Sequence, residues 1–528
     1  MRAEVPRLKQ VMLWLAFAVS LIVAPTEGEA AEPSKLVVLI SGTTEALSVG
    51  RATVLQPGGG IFLRQLPLSK SEAWRIPTAQ VSSIESKLGQ LGITSSKVAA
   101  KGNEATLPTS HDHMNSGQSS MLSDAKNSMA MVDWCVVTLP KPEVMEYLLT
   151  QGEGTADKEP QILTIALRAD LSVRAKQRSV RVIESGYVWH GIIESTGEPV
   201  TLVWRLPSKL TGQVYWQHHQ YVFRNLGAGK FAIVEIDPKM MPTEHPAMGS
   251  MDPMPDSASK AIKNEIEAPA RHRPPALHQK DLKDAETSGG KIELAFETPP
   301  ALSAAKSLPQ VTIDVMVAYT AKAAAHYIDI NDELIDLSIE EANQSFINSG
   351  VRNVQLRLVH TYRTGYIESG THFDHVFRVA DKGDGYMDEV HDLRNKHHAD
   401  IVVLIVDNSN GCGLAAGVAP DAEHAFAVVH YECAATTYSL AHEIGHILGA
   451  RHDVALDDGT TPYSYGHGYI FGNKWRTIMS YGEDCGGCPR LPLWSNPLVK
   501  VGGIPAGDLL ANNARVIESS AMRVASYR

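Results

Sequence analysis

The sequence predicts a mixed α+β chain in which a twisted mixed sheet and one functional helix form the C-terminal part, preceded by a β-rich N-terminal part. Three observations predict it. Between Val311 and Tyr431, apolar runs with strand character alternate with stretches of helical spacing. The segment Ser439 to Asp453, SLAHEIGHILGARHD, carries histidines at helical spacing. From Ala31 to about Leu210, short apolar runs are broken by Gly, Pro and Ser, the punctuation of short strands.

Taken in order, residues 1–30 read as an export signal: Arg2, Arg7 and Lys9 precede an apolar run from Val11 to Ala24, followed by Pro25 and small residues. That run falls short of the roughly 20 residues that span a bilayer, so stable membrane insertion is not expected and the product is predicted to be secreted, extracellular or periplasmic. The net charge of −11, with 48 Lys+Arg against 59 Asp+Glu and no concentrated basic run, argues against nucleic acid as a partner. The runs KLVVLISG, ILTIALRADLSVRA and PVTLVWRL look like strands. Between Ser95 and Ser128 the text turns polar and reads as a mobile insertion. Gly186 to Asp237 reads as a β meander with turns at Gly197, Gly212 and Gly227 to Gly229. From Lys239 to Gln310, residues rich in Pro, Ala, Lys, Glu and Ser with little periodicity read as a linker, a place where proteolytic maturation would cut. Its Met and His residues, like His111 and His113 earlier, read as solvated low-complexity text and not as metal ligands. The predicted division is 1–30 signal, 31–238 β-rich pro-region, 239–308 linker and 309–528 functional domain.

In that last domain Val311 to Thr320 reads as a strand, Asp332 to Ser349 as an amphipathic helix, Val354 to Tyr362 as a second strand and Tyr386 to His398 as a helix. Ala399 to Val406 is apolar on both faces, as a central strand should be. Ala425 to Tyr431 reads as a further strand, after which Thr436, Thr437 or Ser439 can cap the next helix.

That helix carries the chemistry. His442 and His446 lie one turn apart on one face, so two imidazoles converge on a single ion. Glu443 points beside this clamp, where a carboxylate can take a proton from a metal-bound water. His452 would face away on an uninterrupted helix, but Gly449 tolerates positive φ and lets the chain swing it back. Three neutral nitrogens leave the fourth position of a tetrahedral Zn²⁺ open, which is the pattern of one catalytic ion and not of a closed structural site.

The full run HExxHxxGxxHD, together with WRTIMSYG at Trp475 to Gly482, resembles the metzincin zinc endopeptidases, which carry a methionine turn after the long histidine motif. The resemblance implies that Met479 forms an apolar floor under the histidines, and that the strand Ala425 to Tyr431 is the edge strand that pairs with extended protein or peptide substrates. GCGLAAGV at Gly411 to Val418, Asp453 after the third histidine and IMSYGEDCGGCPRLPLWSNP at Ile478 to Pro497 look like the reprolysin-type enzymes, particularly the bacterial peptidyl-Asp metallopeptidases. Those cleave on the amino side of acidic residues. The resemblance makes Arg490 a candidate counter-charge in the S1′ wall, the pocket for the side chain after the scissile bond, with an ordinary surface arginine as the alternative. It makes Tyr481 a candidate transition-state or switch residue, with packing as the alternative. It also implies that the β-rich N-terminal part is a propeptide acting as an intramolecular inhibitor; calcium is left open.

Four of the five cysteines, Cys412, Cys433, Cys485 and Cys488, cluster around the histidine motif, an even set that suggests two disulfides in an exported domain. Three pairings are open; nearness in sequence favours Cys412 with Cys433 and Cys485 with Cys488, and CGGC could also be a redox pair or half of a zinc site. Cys135, in the apolar run MVDWCVVTLP, reads as a small buried hydrophobe, the alternative being a propeptide thiolate that reaches the open zinc position as in some metzincins. The competing class of function is a metal-binding but catalytically silent secreted binding or adhesion protein, against which an intact Glu443 argues.

Overall fold

A computed structural model describes residues 35–98, 100–101, 104–107, 131–150, 160–168, 170–217, 219–237, 240–244, 296–297 and 309–528. The predicted signal, His111 and His113, and most of the predicted linker lie outside the described residues.

Among the described residues the N-terminal part holds two sheets. In the first, strands run in the order Ile61–Leu66, Ser71–Pro77, Lys35–Ser41, Thr94–Val98, all antiparallel. Helix Val81–Gln90 lies on it because Val81, Ile84 and Leu88 recur at helical spacing and bury against Val38, Ile40 and Ile76. Helices at Thr44–Gly50, Val81–Gln90 and Pro142–Thr150 correct the all-strand expectation for this part. They are short, seven to ten residues each, so their period is faint. Strand Glu104–Leu107 and most of strand Thr94–Val98 fall in the stretch Ser95 to Ser128 expected to be a mobile insertion, the rest of which, from 108 on, lies outside the described residues.

The second sheet has ten strands among the described residues and is dominated by an antiparallel meander from Leu171 to Ile236, closed by Met131–Thr138. Turns fall at Gly197, Gly227 and Gly229, each with positive φ, as expected. Gly212 is a correction. It sits inside strand Lys209–Trp216, where a Cβ would stand 2.2 Å from the Thr201 carbonyl oxygen. That glycine serves a close approach of two strands and not a turn.

The C-terminal part is built on a five-stranded sheet ordered Val354–Arg363, Val311–Tyr319, Ile401–Val406, Phe426–His430, Gly413–Ala415. The first four strands are parallel and the last is antiparallel. Ile401–Val406 is buried along its whole length, which explains its unbroken apolar text. Alternate residues serve opposite layers. Ile313, Val315, Val317, Val403 and Ile405 pack with helix Asp336–Asn348, the histidine helix and helix Asn513–Val524. Met316, Ala318, Val402, Leu404 and Val406 pack with helix His372–Ala380 on the other side.

Three expectations are corrected here. Phe426–His430 is an inner strand, and the sheet edge is the three-residue strand Gly413–Ala415. Tyr386 to His398 is helical only over Glu389–Lys396, because Gly383 and Gly385 hold positive φ and the Asp388 carboxylate accepts the Gly385 N–H at 3.3 Å, shaping a loop instead. No hydroxyl caps the histidine helix: its N-cap is Tyr438 in the left-handed region, while the Thr437 hydroxyl engages Ser439 Oγ and the Cys433 carbonyl.

The meander docks on this C-terminal part. Val188, Val203 and Tyr215 enter the same apolar cluster as the histidine helix. The Tyr215 hydroxyl and Gln220 Nε2 both donate to the Thr436 carbonyl, at 2.8 and 2.7 Å, beside the start of that helix. Ion pairs Arg181–Glu340, Arg205–Asp336 and Lys209–Asp332 ring the contact. Partly exposed pairs of this kind contribute roughly 0–1 kcal/mol each, whereas a buried valine contributes about 1.5–3 kcal/mol, so the apolar trio is the larger part of the contact.

Candidate active site

Helix Ser439–Leu448 is buried at every residue and carries His442, Glu443 and His446. It ends at Gly449, with φ of 106°, where Gly449 and Ala450 N–H groups return to the Gly445 carbonyl. A side chain would strain this reversal, and the bend delivers His452 to the other two histidines. The Nε2 atoms lie 3.2 Å apart for His442 and His452, 3.2 Å for His442 and His446, and 2.9 Å for His446 and His452.

A metal fits this arrangement on its own chemistry. His442 Nδ1 lies 2.9 Å from the Ile478 carbonyl oxygen and His446 Nδ1 lies 3.0 Å from that of Ala450. Carbonyls only accept, so each Nδ1 carries the proton and each Nε2 presents a lone pair. Lone pairs crowded at this distance repel unless a cation lies among them. Nitrogens of a tetrahedral zinc shell with bonds of 2.0–2.1 Å stand about 3.3 Å apart, close to what is seen. Among the described residues, these three form the group able to hold an ion.

The remaining residues frame the triad. Glu443 is buried against Gly413 of the edge strand: a Cβ there would be 2.4 Å from its Oε1. The edge strand therefore has no side chain where the carboxylate needs room. Met479 and Trp494 lie under Gly445, where a Cβ would approach Met479 Sδ to 2.8 Å. The Tyr481 ring stands 4.4 Å from His452 and 5.8 Å from His442, centroid to centroid. Behind it, Asp453 accepts the Tyr481 N–H at 3.4 Å, and burial, reinforced by Asp484, pushes its carboxyl up to about 6.

These residues fall inside 310–495, the span that matches the profile Reprolysin_5, metallo-peptidase family M12. A peptidyl-Asp metalloendopeptidase of Xanthomonas campestris pv. campestris is 35% identical over 371 residues, covering 68% of this chain and 80% of that one. The chain belongs to metallopeptidase family M12. A second peptidyl-Asp metalloendopeptidase, from Stenotrophomonas maltophilia, is 32% identical over 413 residues, 74% of this chain and 88% of its own. One from Pseudomonas fragi is 34% identical over 191 residues, 36% of this chain and all of its own. This M12 chain is accordingly a zinc metalloendopeptidase with an α/β peptidase domain.

Two disulfides brace the M12 site. Cys412–Cys433 ties the start of the edge strand to the turn of helix before the histidines, and Cys485–Cys488 closes the loop after Met479. CGGC is thus a bridged loop. Arg490 is no surface arginine: it is 6% exposed, and its guanidinium donates to the Thr437 carbonyl at 2.9 Å and the Ser480 carbonyl at 3.2 Å. Sequence reasoning missed its neighbour Arg476, buried in the same wall and donating to the carbonyls of Ser480 at 2.7 Å and Cys488 at 3.0 Å. The available signal was an arginine three residues before Met479. Cys135 is not brought to the triad. It lies on strand Met131–Thr138 of the second N-terminal sheet, against that sheet's core, donates to the Leu167 carbonyl at 3.4 Å, and burial pushes its thiol up, against thiolate formation. This is the position of the small packed hydrophobe read from its apolar run, and not of the alternative latency thiol.

Proposed function

We propose that this M12 chain is a secreted endopeptidase, made as a latent precursor, that cleaves on the amino side of acidic residues. His442, His446 and His452 hold one zinc ion through Nε2. Zinc bound there would lower the pKa of a water and polarise a scissile carbonyl. Glu443 accepts the proton of the attacking water on its carboxylate and returns it to the leaving amine. Backbone groups of Gly413–Ala415 hold an extended peptide by strand addition, without demanding particular side chains. Met479 supports the histidines from below, Tyr481 packs on His442 and His452 and holds their rings in place, and Arg490 receives the acidic side chain after the scissile bond.

The convergence of three imidazole Nε2 atoms, with a buried carboxylate on the same helix, is the observation that carries this reading. Residues 1–30 direct export, 31–238 form the propeptide, 239–308 the linker and 309–528 the catalytic domain. The names of the relatives, and the docking of the meander beside Thr436, support acidic specificity and latency respectively. Among the described residues no helix is long and apolar enough to cross a membrane. Glu443→Gln should abolish peptide cleavage while zinc stays bound; persistent cleavage would remove Glu443 from the mechanism.

A further inference from the structure

We propose that Arg476 and Arg490 together form a pocket for an acidic side chain, and that Glu244 of the chain's own linker segment fills it as a substrate mimic. This rests on the endopeptidase reading above and names the side chain through which latency acts.

Both arginines are buried, with side chains 9% and 5% exposed, and among the described residues the ion pairs of both are with Glu244. Each carboxylate oxygen is claimed by a different guanidinium: Oε1 lies 2.6 Å from Arg476 and Oε2 lies 2.7 Å from Arg490. The backbone makes the second attachment. The N–H of Cys412, next to the edge strand, donates to the Thr243 carbonyl at 2.8 Å. A peptide bound by strand addition with an acidic side chain in an adjoining pocket would make both kinds of contact. The surrounding cavity, about 340 Å³, is lined by Tyr215, Gln220, Pro242, Glu244, Arg476 and Arg490, and so lies between the docked meander and the peptidase wall.

The pocket stands beside the histidine site. Arg490 is oriented by the carbonyls of Thr437, just before the histidine helix, and Ser480, just after Met479; Arg476 shares the Ser480 carbonyl. Backbone oxygens thus fix two cations side by side, which repel each other unless an anion lies between them. Burial pulls Arg476 down to about 10, with Glu244 the foremost influence raising it again. Glu483 of the wall lines the same cavity and also raises Arg476, but the carboxylate that pairs with both arginines arrives from residues 240–244, more than 230 positions earlier in the chain than either arginine, counting from Glu244 to Arg476.

The experiment uses the intact chain carrying Glu443→Gln, so that no turnover intervenes, and two labelled peptides differing only in one Asp or Asn. Fluorescence polarisation should show that adding Glu244→Ala, or the shape-preserving Glu244→Gln, tightens Asp-peptide binding by about tenfold or more, the effect of one freed charged hydrogen-bonding site. The Asn peptide should gain far less. Adding Arg490→Gln or Arg476→Gln to the Glu244→Gln chain should then erase the preference for Asp. No gain in Asp-peptide binding with either Glu244 variant, or an equal gain for both peptides, would overturn the proposal. Loss of the peptidase reading shows elsewhere, as unchanged turnover on Glu443→Gln, and leaves the binding result to be judged alone.

Discussion

The histidine cluster and the arginine pair are linked through the backbone at Thr437 and Ser480 but are assembled by opposite routes. The histidines come from eleven consecutive residues, His442 to His452, whose geometry follows from helix period and one glycine. The arginine site joins Arg476, Arg490 and Glu244, and exists only because the N-terminal part folds back over the peptidase domain. A local motif carries its own geometry; a site closed by distant chain does not announce itself in the text.

The largest effect that separates the two is expected from His452→Ala. Loss of the third imidazole should strip zinc during dialysis against a chelator while Asp-dependent peptide binding in a Glu244→Gln background persists; metal analysis and polarisation report the two halves. Next is Gly413→Ala. Its Cβ would meet the Glu443 carboxylate at 2.4 Å, so turnover should fall by about 10²-fold with zinc retained, as for displacements of about 1 Å in a catalytic group. Cys412→Ser opens the loop between residues separated by 21 positions, and in the chain-entropy picture should cost about 3 kcal/mol, read as a lower Tm.

A smaller and pH-dependent effect should come from the docked interface itself. Glu341 is buried and faces Thr201 and Gln213 of the meander, with Glu340, Tyr215 and Tyr438 nearby; burial pushes its carboxyl up to about 7. A carboxyl raised on folding is protonated longer in the docked state than free. Its contribution is therefore complete below about 4.5 and lost as pH rises through about 7. Glu341→Gln mimics the protonated form, so the Tm of the two chains should agree near about pH 4 and separate towards about pH 8, with wild type the lower. Equal Tm curves across that range would remove Glu341 as a source of pH dependence.

Much of the fold and the metal site was legible because the signals are local. Ile401–Val406 reads as a buried central strand from its composition, and Gly449 reads as the stop that turns His452 inward. What was not legible depends on partners far along the chain. Gly413–Ala415 is only three residues, too short to alternate, and becomes the edge only by pairing with Phe426–His430. Gly212 looks like any turn glycine until strand Pro199–Arg205 lies against it. Tyr438 starts the histidine helix from the left-handed region while hydroxyl residues flank it, because the flanking hydroxyls find other partners. Glu244 sits in text that reads as linker, and only the docked chain reveals its two arginines.

X-ray absorption at the zinc edge, on the purified chain after removal of its N-terminal part, tests the proposed metal centre most directly. The account predicts one zinc per chain with three imidazole nitrogens at about 2.0–2.1 Å and a fourth position that exchanges with solvent. A chain without zinc, or with a fourth protein ligand that peptide cannot displace, would contradict it.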